Sequence, residues 1–166
     1  MSRPGMNRRP AILLGMALGA LWALAVVWGG QRLSIGFVPL PMVAPFALTV
    51  PGLVLLALIG RLAQRRFFDD ALIDGEAAAP GSAAWVDQRV LGNTVEQGVL
   101  ALLTWPFVAL TLGGSVVLAM GGAFGLARIA FWAGYHLSPP LRAFGFAATF
   151  YTTVLATLWA LAAWFL

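Results

Sequence analysis

Arg89, Asn93 and Glu96 stand at positions i, i+4 and i+7 of a stretch, residues 86–112, that is otherwise mostly apolar. On a helix turning about 100° per residue, the three fall within roughly 60° of one another, so they form one polar stripe. Charged groups within a membrane span are costly, roughly 2.5–3.5 kcal/mol each near its centre. They persist where they pair, where they lie near an interface, or where they bind something. Arg128, Tyr135 and Arg142 follow further along, the first two at i and i+7. The three arginines offer planar, permanently charged forks suited to carboxylates or phosphates. Glu96 offers an acceptor for an ammonium, Asn93 both a donor and an acceptor, and Tyr135 a phenol.

A ligand with two carboxylates, one ammonium and a peptide backbone suits this set, and glutathione is such a ligand. An ordinary reading stands beside it. Arg89 and Glu96 can form an interfacial ion pair with no ligand, Arg128 can snorkel to lipid headgroups, and Arg142 can anchor a span at the membrane surface.

The elements that must position these groups are membrane spans. Of 166 residues, 61% are hydrophobic and only 10% are charged, against about 25% charged in soluble domains. Mean hydropathy is +0.89. The fold class is therefore all-α, a polytopic transmembrane helical protein; the continuous apolar runs argue against a β-barrel, which alternates. Five spans of roughly 20 residues, the bilayer requirement, are expected at about 11–29, 39–60, 86–112, 114–135 and 143–166. Pro41, Pro45 and Pro51 predict a kinked or partly unwound first half of the second span. One long polar loop, about 61–85, separates spans two and three, and Gly113-Gly114 makes spans three and four an antiparallel hairpin. That hairpin brings the start of span three beside the end of span four. All six polar groups then lie at one membrane level.

All ten basic residues are Arg. With abundant Ala, Gly and Leu, this points to a GC-rich bacterial genome. The high pI does not imply nucleic-acid binding, because the arginines are scattered at span ends. Arg3, Arg8 and Arg9 precede span one and Arg61, Arg65 and Arg66 follow span two, while the opposite side has only Arg32. The positive-inside rule places the N-terminus in the cytoplasm and the C-terminus outside, with the inner membrane as the expected location. Residues 1–30 also have the basic start, apolar run and Ala23-Leu24-Ala25 site of a cleaved signal peptide. The apolar run continues past that site through Val26, Val27 and Trp28, which favours a retained span. The chain has no Cys. Disulfides and a protein thiol nucleophile are excluded, and any thiol chemistry must use a ligand's thiol.

Several other features carry less. His136, the single histidine, reads as an interfacial polar residue rather than a catalytic base. Gly121 and Gly125 form a Gly-x-x-x-Gly that allows close helix approach, within a protomer or across an oligomer. The tryptophans lie mostly near span ends, as interfacial anchors do. Asp69, Asp70, Asp74 and Glu76 lack His or Cys neighbours and read as a solvated loop rather than a metal site.

The pattern Arg89-x-x-x-Asn93-x-x-Glu96, then Ala127-Arg128, Gly134-Tyr135 and Arg142, resembles the membrane-associated proteins in eicosanoid and glutathione metabolism, the MAPEG family. The resemblance covers about 39–166, making 1–38 an extra N-terminal helix and connector. It implies a four-helix bundle protomer in a homotrimer, with glutathione bound between neighbouring protomers. Arg89, Asn93, Glu96, Arg128 and Tyr135 match positions that hold glutathione, and Arg142 matches the arginine that stabilises its thiolate. The implied activity is conjugation or reduction of a lipophilic small-molecule substrate dissolved in the bilayer. The sequence departs from the family at Gln97 and Phe131, where many members have Tyr, or Tyr or His. Each departure loses a hydrogen bond to the peptide. Because the family includes a non-enzymatic lipid-presenting member, a non-catalytic protein binding lipid or a partner at the same crevice is the alternative. A transporter fits less well, with no inverted repeat in the chain.

Overall fold

The computed structural model describes residues 8–36 and 38–166 and folds them into five helices. Arg3, used above for orientation, lies outside the described residues. Helix α1 spans Arg8–Arg32, α2 Leu40–Phe67, α3 Ala83–Leu112, α4 Gly114–Leu137 and α5 Pro139–Phe165. All five are long and apolar enough to cross a membrane.

The expected spans are all present, but their ends differ. Helix α2 continues to Phe67, well past the expected end near residue 60. Leu62 is buried on that extension and Arg65 reaches Asp87 on α3, so the extra turns are held by packing and charge together. Nor does α2 unwind at its prolines; it is helical through Pro45 and Pro51. Pro41 occupies the first turn, where a missing N–H costs nothing. Pro51 leaves the Ala47 carbonyl without its usual partner, and this oxygen lies against Gly121 of α4. A Cβ at Gly121 would stand 2.8 Å from it. A Cβ at Gly125 would stand 3.0 Å from Val50 Cγ1. The Gly-x-x-x-Gly thus packs α4 on α2 within the chain.

Helix α3 starts three residues earlier than expected because Ser82 caps it, accepting from the Trp85 N–H at 3.2 Å. The α3–α4 hairpin turns at Gly113, whose φ of +98° favours glycine. Ser138 is extended and α5 begins at Pro139. Arg142, expected in a loop, therefore sits in the first turns of α5. Pro139 and Pro140 lie in the first turn of that helix.

Helix α4 lies at the centre and touches each of the other four. The main core joins Val27 of α1, Ala44 and Ala47 of α2, Trp105 and Val108 of α3, Met120 and Phe124 of α4, and Ala156 and Ala160 of α5. Trp105 packs edge-to-face on Phe124 and its indole N–H donates to Thr153 Oγ1 at 3.3 Å. Helix α1 runs mainly along α5, with a smaller contact on α4. It comes close because Gly15, Gly19 and Gly30 lack side chains. A Cβ at Gly19 would stand 2.9 Å from the Ala148 nitrogen, and one at Gly30 2.9 Å from Val116 Cα. Leu21, Phe46, Leu56, Leu103 and Leu110 point outward and exposed, as lipid-facing residues do.

Candidate functional site

At the end of the bundle where α3 begins and α4 ends, four helices line an open cavity of about 610 Å³, within the range of small-molecule sites. Helix α3 contributes Arg89, Asn93 and Glu96 to its lining, α4 contributes Phe131 and Tyr135, and α5 contributes Arg142 and Phe146. Five of the six polar residues singled out in the sequence thus share one cavity.

The sixth, Arg128, lies behind it. Its side chain is 1% exposed. Its Nη1 donates to Asn93 Oδ1 at 3.0 Å and its Nε to Thr94 Oγ1 at 3.1 Å, while the guanidinium sits 4.1 Å from the Phe131 ring centroid. Thr94 in turn donates to the Val90 carbonyl at 2.7 Å. These contacts replace part of the hydration that a buried guanidinium loses; Nη2 is buried without a hydrogen-bond partner among the described residues. They also fix the Asn93 amide. With its oxygen taken by Arg128, Asn93 Nδ2 donates to Glu96 Oε2 at 3.1 Å. A buried cation, an amide and a carboxylate form one directional series ending at the cavity wall.

The charges that line the cavity have no ion pair among the described residues. Among the described residues, the ion pairs join Asp87 to Arg65 and, at 3.9 Å, to Arg61. Arg89 and Glu96 do not pair; Arg89 stacks 4.6 Å from the Trp85 ring centroid instead. Arg142 lies 5.0 Å from the Tyr135 ring centroid, and Tyr135 packs edge-to-face on Phe131 at 5.4 Å. Two arginine forks, one carboxylate and one phenol therefore face the cavity without an ionic partner among the described residues. That donor set fits a ligand carrying carboxylates and an ammonium.

Close approach of α4 and α5 brings Arg142 to this site. Gly134 faces the start of α5, and a Cβ there would stand 2.8 Å from Arg142 Cβ. Gly145 faces Phe131 in the same way; a Cβ there would stand 2.7 Å from the Ala127 carbonyl oxygen.

His136 is exposed and outside the cavity lining. Gln97 is buried and also outside the lining, so its departure from the family's tyrosine does not alter the cavity wall; Phe131 does line it. Sequence reasoning missed Asp87. It is 1% exposed and accepts from Arg65 Nε and, at 2.9 Å, from Trp132 Nε1, tying α3 to α2 and α4 beside the site. The available signal was an acid two residues before Arg89, on the opposite side of the same apolar helix. Ile12 and Met16 of α1 also line the cavity, and nothing in their residue types marks them.

The MAPEG family model matches residues 38–162, which takes in nearly all of α2–α5 and leaves α1 outside. No curated protein and no solved structure matches the chain.

Proposed function

Because the chain belongs to the MAPEG family, whose members are integral membrane proteins of eicosanoid and glutathione metabolism, we propose that its cavity binds glutathione and activates the thiol toward lipophilic electrophiles. The observation that carries this reading is the unpaired charge set: Arg89, Arg142 and Glu96 face one cavity and none is neutralised by another. Arg89 and Glu96 are exposed at the end of the bundle, where an interface lowers the cost of charge, so it is their convergence on one cavity without mutual pairing that favours a ligand of complementary charge.

The roles follow from chemistry. Arg89 takes a carboxylate, and Glu96 takes the ammonium. Asn93, held by Arg128, hydrogen-bonds the peptide, and Tyr135 donates its phenol O–H. Glutathione, when bound, supplies the nucleophilic sulfur that a chain without Cys lacks. Arg142 supplies a nearby cation, which lowers a thiol pKa from its usual value of about 8.5 and raises the thiolate fraction at neutral pH. The apolar residues Phe131 and Phe146 exclude water and receive the electrophile.

We place the protein in a bacterial inner membrane with the site at the cytoplasmic face, on the strength of the arginines at that end. A homotrimer, with a neighbouring protomer completing each site, is part of the same proposal and rests on the family. Isothermal titration of the purified protein with glutathione tests the core of it. Saturable binding in the micromolar to low millimolar range is expected. No heat of binding at millimolar glutathione would leave the non-catalytic reading, a lipid or partner site at the same crevice.

A further inference from the structure

Helix α1 lies outside the matched segment, yet it walls the cavity. Ile12 and Met16, one turn apart, face inward beside Phe131, Ala143 and Phe146, while Leu13 and Leu14 point outward at 61% and 59% exposure. Between Ile12 and Met16 sits Gly15, where α1 packs closely on α5; a Cβ there would stand 3.0 Å from Ala143 Cβ and from the Phe144 nitrogen. Ala143 is itself a cavity residue. One of the contacts that dock α1 is therefore made at the level of the site.

We propose that α1 is the specificity wall of this site, with Ile12 and Met16 forming the apolar subsite for the hydrocarbon part of a lipophilic electrophile. The polar residues gather on α3 and around Tyr135 and Arg142; among the described residues, α1 adds Ile12 and Met16, hydrocarbon and a thioether. Met16 is 37% exposed and so borders both cavity and lipid. A flexible, polarizable side chain there adapts to chains of different shape. The substrate class is thus an electrophile with an alkyl or alkenyl chain, held with its reactive carbon near Arg142 and its chain along α1. This inference rests on the glutathione reading.

The test is direct binding, measured on the full chain in lipid nanodiscs. Glutathione, S-methylglutathione and S-hexylglutathione are titrated into wild type, Ile12→Ala/Met16→Ala and Leu13→Ala/Leu14→Ala. The wild type is expected to bind S-hexylglutathione at least tenfold more tightly than S-methylglutathione. That ratio is expected to fall at least fivefold in Ile12→Ala/Met16→Ala and to hold within twofold in Leu13→Ala/Leu14→Ala, which changes only the lipid-facing side of the same helix. An unchanged ratio in Ile12→Ala/Met16→Ala, with glutathione still bound, overturns the wall while leaving the glutathione site standing. An equal loss in both double variants also overturns it, since the effect then belongs to helix stability. Failure of wild type to bind any of the three ligands overturns both proposals. An intact mass showing that residues 1–30 are removed from the purified protein overturns the wall alone.

Discussion

Arg128 Nη1 donates to Asn93 Oδ1 at 3.0 Å from behind the cavity, and this bond decides which face of the Asn93 amide the site receives. The amide nitrogen is left for Glu96, whose carboxylate it holds at 3.1 Å. A residue that does not line the cavity thus orients two that do.

This coupling predicts an asymmetry. Asn93→Ala removes an acceptor from a buried guanidinium and is expected to destabilise the protein by about 2 kcal/mol, the range for hydrogen bonds to charged groups. Adding Arg128→Met removes the buried charge as well, and the double variant is expected to recover most of that loss. Glutathione affinity is expected to stay low in both. Thermal unfolding in detergent together with titration reads the two effects separately; recovery of binding along with stability would show that Asn93 acts only as a partner for Arg128.

The Asp87 ion pair leads to a second prediction. Its carboxylate is buried and receives Arg65 and Trp132. Asp87→Ala leaves the Arg65 and Trp132 donors without their acceptor, and is expected to destabilise by about 3 kcal/mol, the lower end for breaking a buried pair. Asp87→Leu combined with Arg65→Met is expected to lie within about 1.5 kcal/mol of wild type. Melting temperatures of the three purified proteins check this; a double variant no better than Asp87→Ala would assign the effect to Trp132 rather than to the ion pair.

How much of this was legible in the sequence differs by residue. The five spans were, because apolar runs broken by Arg and by Gly113-Gly114 report directly on bilayer crossing. Arg89, Asn93, Glu96, Tyr135 and Arg142 could be brought together because an antiparallel hairpin fixes which ends are neighbours. Depth was not legible. Topology sets a level along the membrane normal but not which side of α4 Arg128 takes, and its place behind Asn93 depends on packing against Phe131 and Thr94. Asp87 escaped notice because its partner Arg65 lies 22 residues away, in what read as a solvated loop. Met16 and Ile12 are ordinary apolar residues, and only the docking of α1 on α5 turns them toward the cavity.

Gly134 allows a third prediction, in which two effects have opposite signs. Helix propensity alone makes Gly→Ala favourable by about 1 kcal/mol. Here the added Cβ would stand 2.8 Å from Arg142 Cβ and closer still to the α5 backbone, so α5 must shift. Gly134→Ala is expected to lower the melting temperature and to weaken glutathione binding by displacing Arg142. The same change at Gly122, within α4 but with open space around it, is expected to leave both unchanged or to raise stability slightly. A stabilised Gly134→Ala would mean that α4 and α5 pack less closely than described.

The last prediction concerns Arg142 and the ligand's thiol. A thiolate absorbs in the ultraviolet where a thiol does not, so titrating the glutathione complex with pH gives the ionisation midpoint directly. With Arg142 nearby, the midpoint is expected below the free value of about 8.5, so that the thiolate predominates at neutral pH. Arg142→Ala removes the cation, so the midpoint is expected to rise back toward that value and the absorbance at pH 7 to fall. Arg142→Lys keeps the charge but not the planar fork, and is expected to give an intermediate midpoint. Glutathione affinity, which also draws on Arg89, Asn93 and Glu96, is expected to change less than the midpoint does. If the midpoint in Arg142→Ala equals that of the wild type, another group lowers the thiol pKa. Arg89, the other cationic fork lining the cavity, would then be the residue to substitute next.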